Sequence, residues 1–178
     1  MNWANRLTIL RIVLVPVFVM AVLYHRLGFA LGVFIFAAVT DALDGYIARA
    51  LDQKTKFGAT IDPIADKLLI VTAFVSLSLV SGLPEYSRMP IYVPVTIISR
   101  DLIILLGAGL IYLNNGHVEI KPTSISKVTT FFQMLTIILV LIGFVYAKWV
   151  WTTAVILTVV SGFDYIRRGS EQINGRNQ

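Results

Sequence analysis

Five aspartates stand in the stretch "DALDGYIARALDQKTKFGATIDPIAD", residues 41–66, and four of them, Asp41, Asp44, Asp62 and Asp66, fall in two close pairs. Asp41 and Asp44 are three apart, and Asp62 and Asp66 four apart, so each pair shares one face of a helix. Four converging carboxylates repel one another unless cations sit between them. Oxygen ligands without cysteine or histidine point to Mg²⁺ or Mn²⁺ rather than zinc. Two such ions suit displacement at a phosphoryl or phosphodiester centre. The intervening residues fit a phosphate site: Gly45 and Ala48 leave space for a ligand to approach the helix backbone, and Arg49 offers a planar fork. Gly58 is placed to let the connecting loop turn tightly, and Asp62 to cap a helix with Pro63 in its first turn. As structure alone, Asp44 and Asp62 would be caps and Gly45 and Ala48 packing residues. That reading leaves their crowding into one stretch unexplained.

The elements that must position these groups are apolar. The chain has 178 residues, 57% of them hydrophobic and 14% charged, where a soluble domain carries about 25% charged residues; the mean hydropathy is +0.79. Six apolar segments fall at about 7–25, 28–50, 62–82, 91–113, 123–146 and 149–167, each near the ~20 residues that cross a bilayer core. The fold class expected is therefore an all-α integral membrane protein, with six transmembrane helices in one bundle and a single domain over residues 1–178. The first segment is read as retained rather than as a cleaved signal peptide, because it is long and lacks a small-x-small site. Without cysteine there is no disulfide framework and no thiolate chemistry.

Arg6, Lys54, Lys56, Lys121, Arg167, Arg168 and Arg176 lie in connections or tails on one side, against Arg26, Arg88 and Lys148 on the other. This asymmetry places both termini and the aspartates on the cytoplasmic side, in the cytoplasmic (inner) membrane of a bacterium. The net charge of +5 suits anionic lipid, and no basic stripe with interleaved aromatics suggests nucleic acid. The other basic residues, Arg11, Arg49, Lys67, Arg100 and Lys127, lie within spans or at their edges, where each costs about 2.5–3.5 kcal/mol at a helix centre. A shared polar cavity open to the cytoplasm accounts for them better than snorkelling or pairing with the four aspartates and Asp101.

The pattern Asp-x₂-Asp-Gly-x₂-Ala-Arg-x₈-Gly-x₃-Asp-x₃-Asp runs from Asp41 to Asp66 without a departure. It resembles the signature of the CDP-alcohol phosphotransferases (CDP-alcohol phosphatidyltransferases), membrane enzymes of phospholipid synthesis. The likeness extends to "NRLTILRIVLVPVF" near the start and "SGFDYIRR" near the end. It implies two divalent cations, Mg²⁺ or Mn²⁺, with Asp41, Asp44 and Asp62 as metal ligands and Asp66 as ligand and general base. It also implies that Asp41, Gly45, Ala48, Arg49 and Gly58 accommodate the cytidine diphosphate of CDP-diacylglycerol. The implied fold is a six-helix bundle, usually a homodimer, open to the cytoplasm and laterally to lipid. The implied reaction transfers a phosphatidyl group to a glycerol-type hydroxyl and releases CMP.

The acceptor is read from Arg100, Lys121 and Lys127. Phosphatidylglycerophosphate synthases typically show "ISREF", an arginine eight residues past the first, and later "GK-x-KT". This chain has "ISRDLIILLGAG" and "SKVTT", with Ala108 and Thr129 where two basic residues would stand. The stretch "IKPTSISKVTTFFQ" looks more like the CMP-forming cardiolipin synthases. The expected acceptor is therefore phosphatidylglycerol, with glycerol 3-phosphate the alternative. A cation-coupled transporter ranks below both, because the acids gather at one rim and the two halves show no similarity. His117 and Glu119 read as solvated loop, and the tail "GSEQINGRNQ" as a frayed end.

Overall fold

Long apolar segments interrupted only by short polar breaks fold as helices, since each must satisfy its own backbone hydrogen bonds in lipid. The computed structural model describes residues 3–50, 56–115 and 123–174, with side chains over 9–41, 67–107, 109 and 123–169. Among the described residues six α-helices follow the six apolar segments in order, without strands: α1 (Trp3–Leu23), α2 (Leu27–Ala50), α3 (Lys56–Leu79), α4 (Tyr92–Asn115), α5 (Ser124–Ile142) and α6 (Ala147–Asn174). A 3₁₀ turn at Glu85–Ser87 precedes α4.

The helices form two groups of three. α1 packs on α2 and α3, while α6 packs on α4 and α5; lighter contacts join α2 to α5 and α3 to α4 and α5. Within the first group the buried positions recur at helical spacing. Arg11, Val15, Phe18 and Val22 line α1, and Ala30, Phe34 and Ala37 line α2. The Phe18 and Phe34 rings meet with centroids 6.0 Å apart, and the buried alanines Ala30, Ala37 and Ala73 let the backbones approach. In the second group the seam between α5 and α6 is polar. Thr129, Gln133, Thr136, Thr158 and Ser161 are fully buried, and Gln133 Nε2 donates to Thr158 Oγ1 at 3.1 Å.

The outer surface is apolar. Leu105 and Phe163 are each 69% exposed and Trp149 73%, as suits side chains facing lipid. Among the described residues Glu85–Gly107, Ser124–Ile142 and Ala147–Gly169 are long and apolar enough to cross a membrane, with shorter apolar stretches at Ile9–Leu23, Leu27–Asp41 and Lys67–Leu79. The protein is an integral membrane protein.

Three local expectations are corrected. α3 begins at Lys56, so Asp62 is not its N-cap, Pro63 is not in its first turn, and Gly58 lies within the helix rather than in a turning loop. A proline removes one helical hydrogen bond but holds a φ compatible with helix, so the turns before it persist. α6 continues through Asn174 into the expected tail. α5 ends at Ile142, short of the expected boundary, because Gly143 adopts a left-handed φ of 73°. Gly143 and Phe144 then donate to carbonyls of the last turn, Val140 and Leu139, at 3.1 and 2.9 Å.

Two glycines with positive φ differ in what surrounds them. A Cβ at Gly143 would meet nothing within 4 Å, whereas at Gly82, φ 89°, it would lie 3.3 Å from the ring of His25. Gly143→Ala is therefore expected to destabilise through backbone conformation alone, by roughly 1–2 kcal/mol, and Gly82→Ala by more. Thermal unfolding in detergent measures both, and equal stability of Gly143→Ala and wild type would refute the backbone argument.

Candidate active site

A charged side chain in an apolar bundle persists only where another group compensates it. Arg11 continues the buried stripe of α1 and is 1% exposed; one turn beyond Ala37, Asp41 continues that of α2. The Arg11 guanidinium lies 2.6 Å from Asp41 Oδ1, while Asp41 remains 35% exposed. The end of the α1–α2 seam thus converts from apolar packing to an ion pair, at the first of the four aspartates.

The second cluster spans four helices. Arg100 of α4 is 6% exposed and donates from one terminal nitrogen to Asp101 Oδ1 at 2.7 Å. From the other it donates to Ser126 Oγ of α5 at 2.9 Å and Ser161 Oγ of α6 at 2.6 Å. Its guanidinium lies over the Tyr165 ring, 5.6 Å from the centroid. Gly162 lies against its stem, where a Cβ would stand 3.5 Å from Arg100 Cγ, an ordinary contact. Its Nε–H is buried without a partner among the described residues. Asp101 in turn accepts from Lys67 Nζ of α3 through both oxygens, each at 2.7 Å. Lys67 is 40% exposed and Asp101 16%, so the cluster opens on the lysine side.

Of the residues singled out by sequence, Asp41 and Arg100 are seen in partnered positions. Lys127 sits in the first turn of α5, beside Ser126, with its side chain exposed. The side chains of Asp44, Ala48, Arg49, Asp62, Asp66 and Ala108 lie outside the described residues, as do Lys121, His117 and Glu119 entirely; Gly45 and Gly58 are described only as helical backbone. Among the described residues no three acidic or histidine side chains converge. Asp41 engages Arg11 through one oxygen, and about a third of its side chain stays exposed.

The structure adds Ser126, Ser161 and Tyr165 around Arg100, and it shows Lys67 and Arg100 paired with Asp101 and Arg11 with Asp41, the pairing ranked below a shared cavity on sequence. The available signal was charge inside apolar helices. The pairings themselves join residues 34 and 61 positions apart and were not legible. Thr129 is fully buried and hydrogen-bonds the carbonyls of Ile125 and Leu157 at 2.8 and 3.2 Å. Its position belongs to the α5–α6 seam, so the lack of a base there reflects packing.

Comparison with known proteins gives one family throughout. The family model described as CDP-alcohol phosphatidyltransferase matches residues 1–160. A probable phosphatidylglycerophosphate synthase of Mycobacterium tuberculosis is 38% identical over 189 residues, covering 99% of this chain and 86% of that protein. The CDP-diacylglycerol–glycerol-3-phosphate 3-phosphatidyltransferase of Bacillus subtilis is 30% identical over 201 residues, 99% of each. A CMP-forming cardiolipin synthase of Rattus norvegicus is 31% identical over 194 residues, 95% of this chain and 62% of that protein.

Ser161→Ala removes one hydrogen bond to the buried Arg100 without removing the charge. A loss of stability of about 1.5–3 kcal/mol is expected, read by thermal unfolding in detergent. Wild-type stability would mean that Ser126, Asp101 and Tyr165 hold the guanidinium unaided.

Proposed function

Because the chain belongs to the CDP-alcohol phosphatidyltransferase family, we propose that it transfers the phosphatidyl group of CDP-diacylglycerol to glycerol 3-phosphate and releases CMP. This replaces phosphatidylglycerol, the acceptor favoured by sequence, with the alternative. Lys67 and Arg100 converge on the single carboxylate of Asp101. This leaves a net charge of +1, which suits an anionic acceptor of either kind. The observation that carries the change is the match, over most of both chains, to relatives named for phosphatidylglycerophosphate or glycerol 3-phosphate.

In this reading Asp41, Asp44, Asp62 and Asp66 would hold two divalent cations, Mg²⁺ or Mn²⁺. When bound, these offset negative charge on the pyrophosphate and on the departing CMP. Gly45, Ala48, Arg49 and Gly58, with Asp41, accommodate the cytidine diphosphate. Arg100, with Lys127 and Lys121, holds the acceptor phosphate and so fixes the hydroxyl. The Asp66 carboxylate accepts the hydroxyl proton as the oxygen attacks the phosphorus that carries the diacylglycerol. A new P–O bond forms, the P–O bond to CMP breaks, and its electron pair leaves with CMP. Six membrane crossings, with both termini and the site on the cytoplasmic side of a bacterial inner membrane, are supported by the Lys/Arg asymmetry of the connections. A homodimer belongs to the same proposal through the family resemblance.

Purified protein given labelled CDP-diacylglycerol should release CMP when glycerol 3-phosphate is added, lose activity in EDTA, and recover it with Mg²⁺ or Mn²⁺. A lipid product formed from phosphatidylglycerol but not from glycerol 3-phosphate would return the assignment to cardiolipin synthesis. Asp66→Asn should keep donor binding and lose kcat by about 10²–10⁴-fold, the usual contribution of a general base. Full turnover by that variant would rule out its role.

A further inference from the structure

We propose that Asp101 is a positioning residue that sets the acceptor-binding cations against the helix of the general base. The inference rests on the acceptor reading above and adds a residue to it. α3 carries Asp66 and, next to it, Lys67; α4 carries Arg100 and, next to it, Asp101. These helices belong to the two different groups of three and meet lightly, because α3 packs chiefly on α1 and α4 on α6. Apolar packing therefore does little to fix their relative position. The Asp101 carboxylate does so directly. Both of its oxygens accept from Lys67 Nζ at 2.7 Å, and Oδ1 also accepts from Arg100 at 2.7 Å. Three charge-assisted hydrogen bonds on one carboxylate give a short and directional link.

The energetics favour positioning over a contribution to stability alone. Lys67 is 40% exposed, so its pairing is screened and adds little to the fold. Arg100 is held independently by Ser126, Ser161 and Tyr165. Removing the Asp101 charge thus leaves Arg100 seated, while Lys67 loses its carboxylate partner across the α3–α4 gap. What changes is the placement of Lys67, and of the α3 segment beside it, relative to an acceptor phosphate held at Arg100. The donor, by contrast, is assigned to the Asp41–Asp66 stretch.

The test compares wild type, Asp101→Asn, Asp101→Glu, Lys67→Met and the double variant Lys67→Met/Asp101→Asn, with KM for donor and acceptor and kcat measured separately. Asp101→Asn and Lys67→Met should each raise the acceptor KM about tenfold or more, the loss of a hydrogen bond between charged groups, and leave the donor KM within about twofold. Asp101→Glu should restore much of the loss. The double variant should be no worse than the poorer single one, since both break one link. An unchanged acceptor KM, an equal rise in donor KM, or additive losses would overturn the proposal. If Asp101→Asn fails to fold, Lys67→Met decides alone: the same split supports the role and an unchanged acceptor KM overturns it. If wild type uses phosphatidylglycerol instead, the acceptor reading fails, and the same split measured with that lipid still decides the role of Asp101.

Discussion

Charge placed inside an apolar bundle must be compensated by the protein itself, and this constraint organises the molecule. Arg11 on α1 meets Asp41 on α2. Lys67 on α3 meets Asp101 on α4, and Arg100 beside it reaches hydroxyls on α5 and α6. All six helices therefore contribute to polar links, each of them joining different elements of the bundle. Between the helices there is no water-driven force comparable to that in a soluble core, because lipid tails are as apolar as leucine. Shape, small residues and these polar links must hold the arrangement. The links also hold the groups that the proposed chemistry needs, so that bundle assembly and site assembly use the same side chains.

Fold class was legible because hydropathy reports local solvation, and solvation in a bilayer nearly dictates a helix. The six segments and the six helices agree in order. Boundaries were less legible where a local signal carries little energy. Asp62-Pro63 has the chemistry of a helix start, yet a cap contributes only about 0.5–2 kcal/mol, and α3 extends upstream to Lys56. Gly143 illustrates the converse: one residue in the left-handed region ends α5 despite the apolar run that follows.

The Asp41 stripe was half visible. Helical spacing from Ala30 through Phe34 and Ala37 leads to Asp41, and from Val22 through Phe18 and Val15 to Arg11, but only tertiary structure brings the two ends together. Lys67 was the larger omission. It was read as one of several cations sharing a cavity, with pairing to Asp101 ranked lower, because a partner 34 positions away on another helix gives no local sign. Thr129 was misweighted for a related reason. The typical motif places a base at its position, which suggested a vacant ligand position, whereas its burial against the Leu157 carbonyl makes it part of a helix seam.

That distinction bears on how the acceptor is chosen within one family. Counting bases in a motif assumes that each motif position faces the substrate, and here one of the two substituted positions does not lie in a pocket. A count taken from geometry instead finds two cations sharing a single carboxylate, with Ser126 and Ser161 orienting one of them. A phosphate dianion and a phosphodiester differ by one charge. In the proposed reading, discrimination between them would depend on the net charge and rigidity of this small cluster. Asp101 bears on both, since its carboxylate offsets one of the two cations and accepts from each of them. In the proposed reading the acceptor is held at the junction of the two helix groups and the donor along α2 and α3, so that one aspartate signature could serve relatives named for different acceptors.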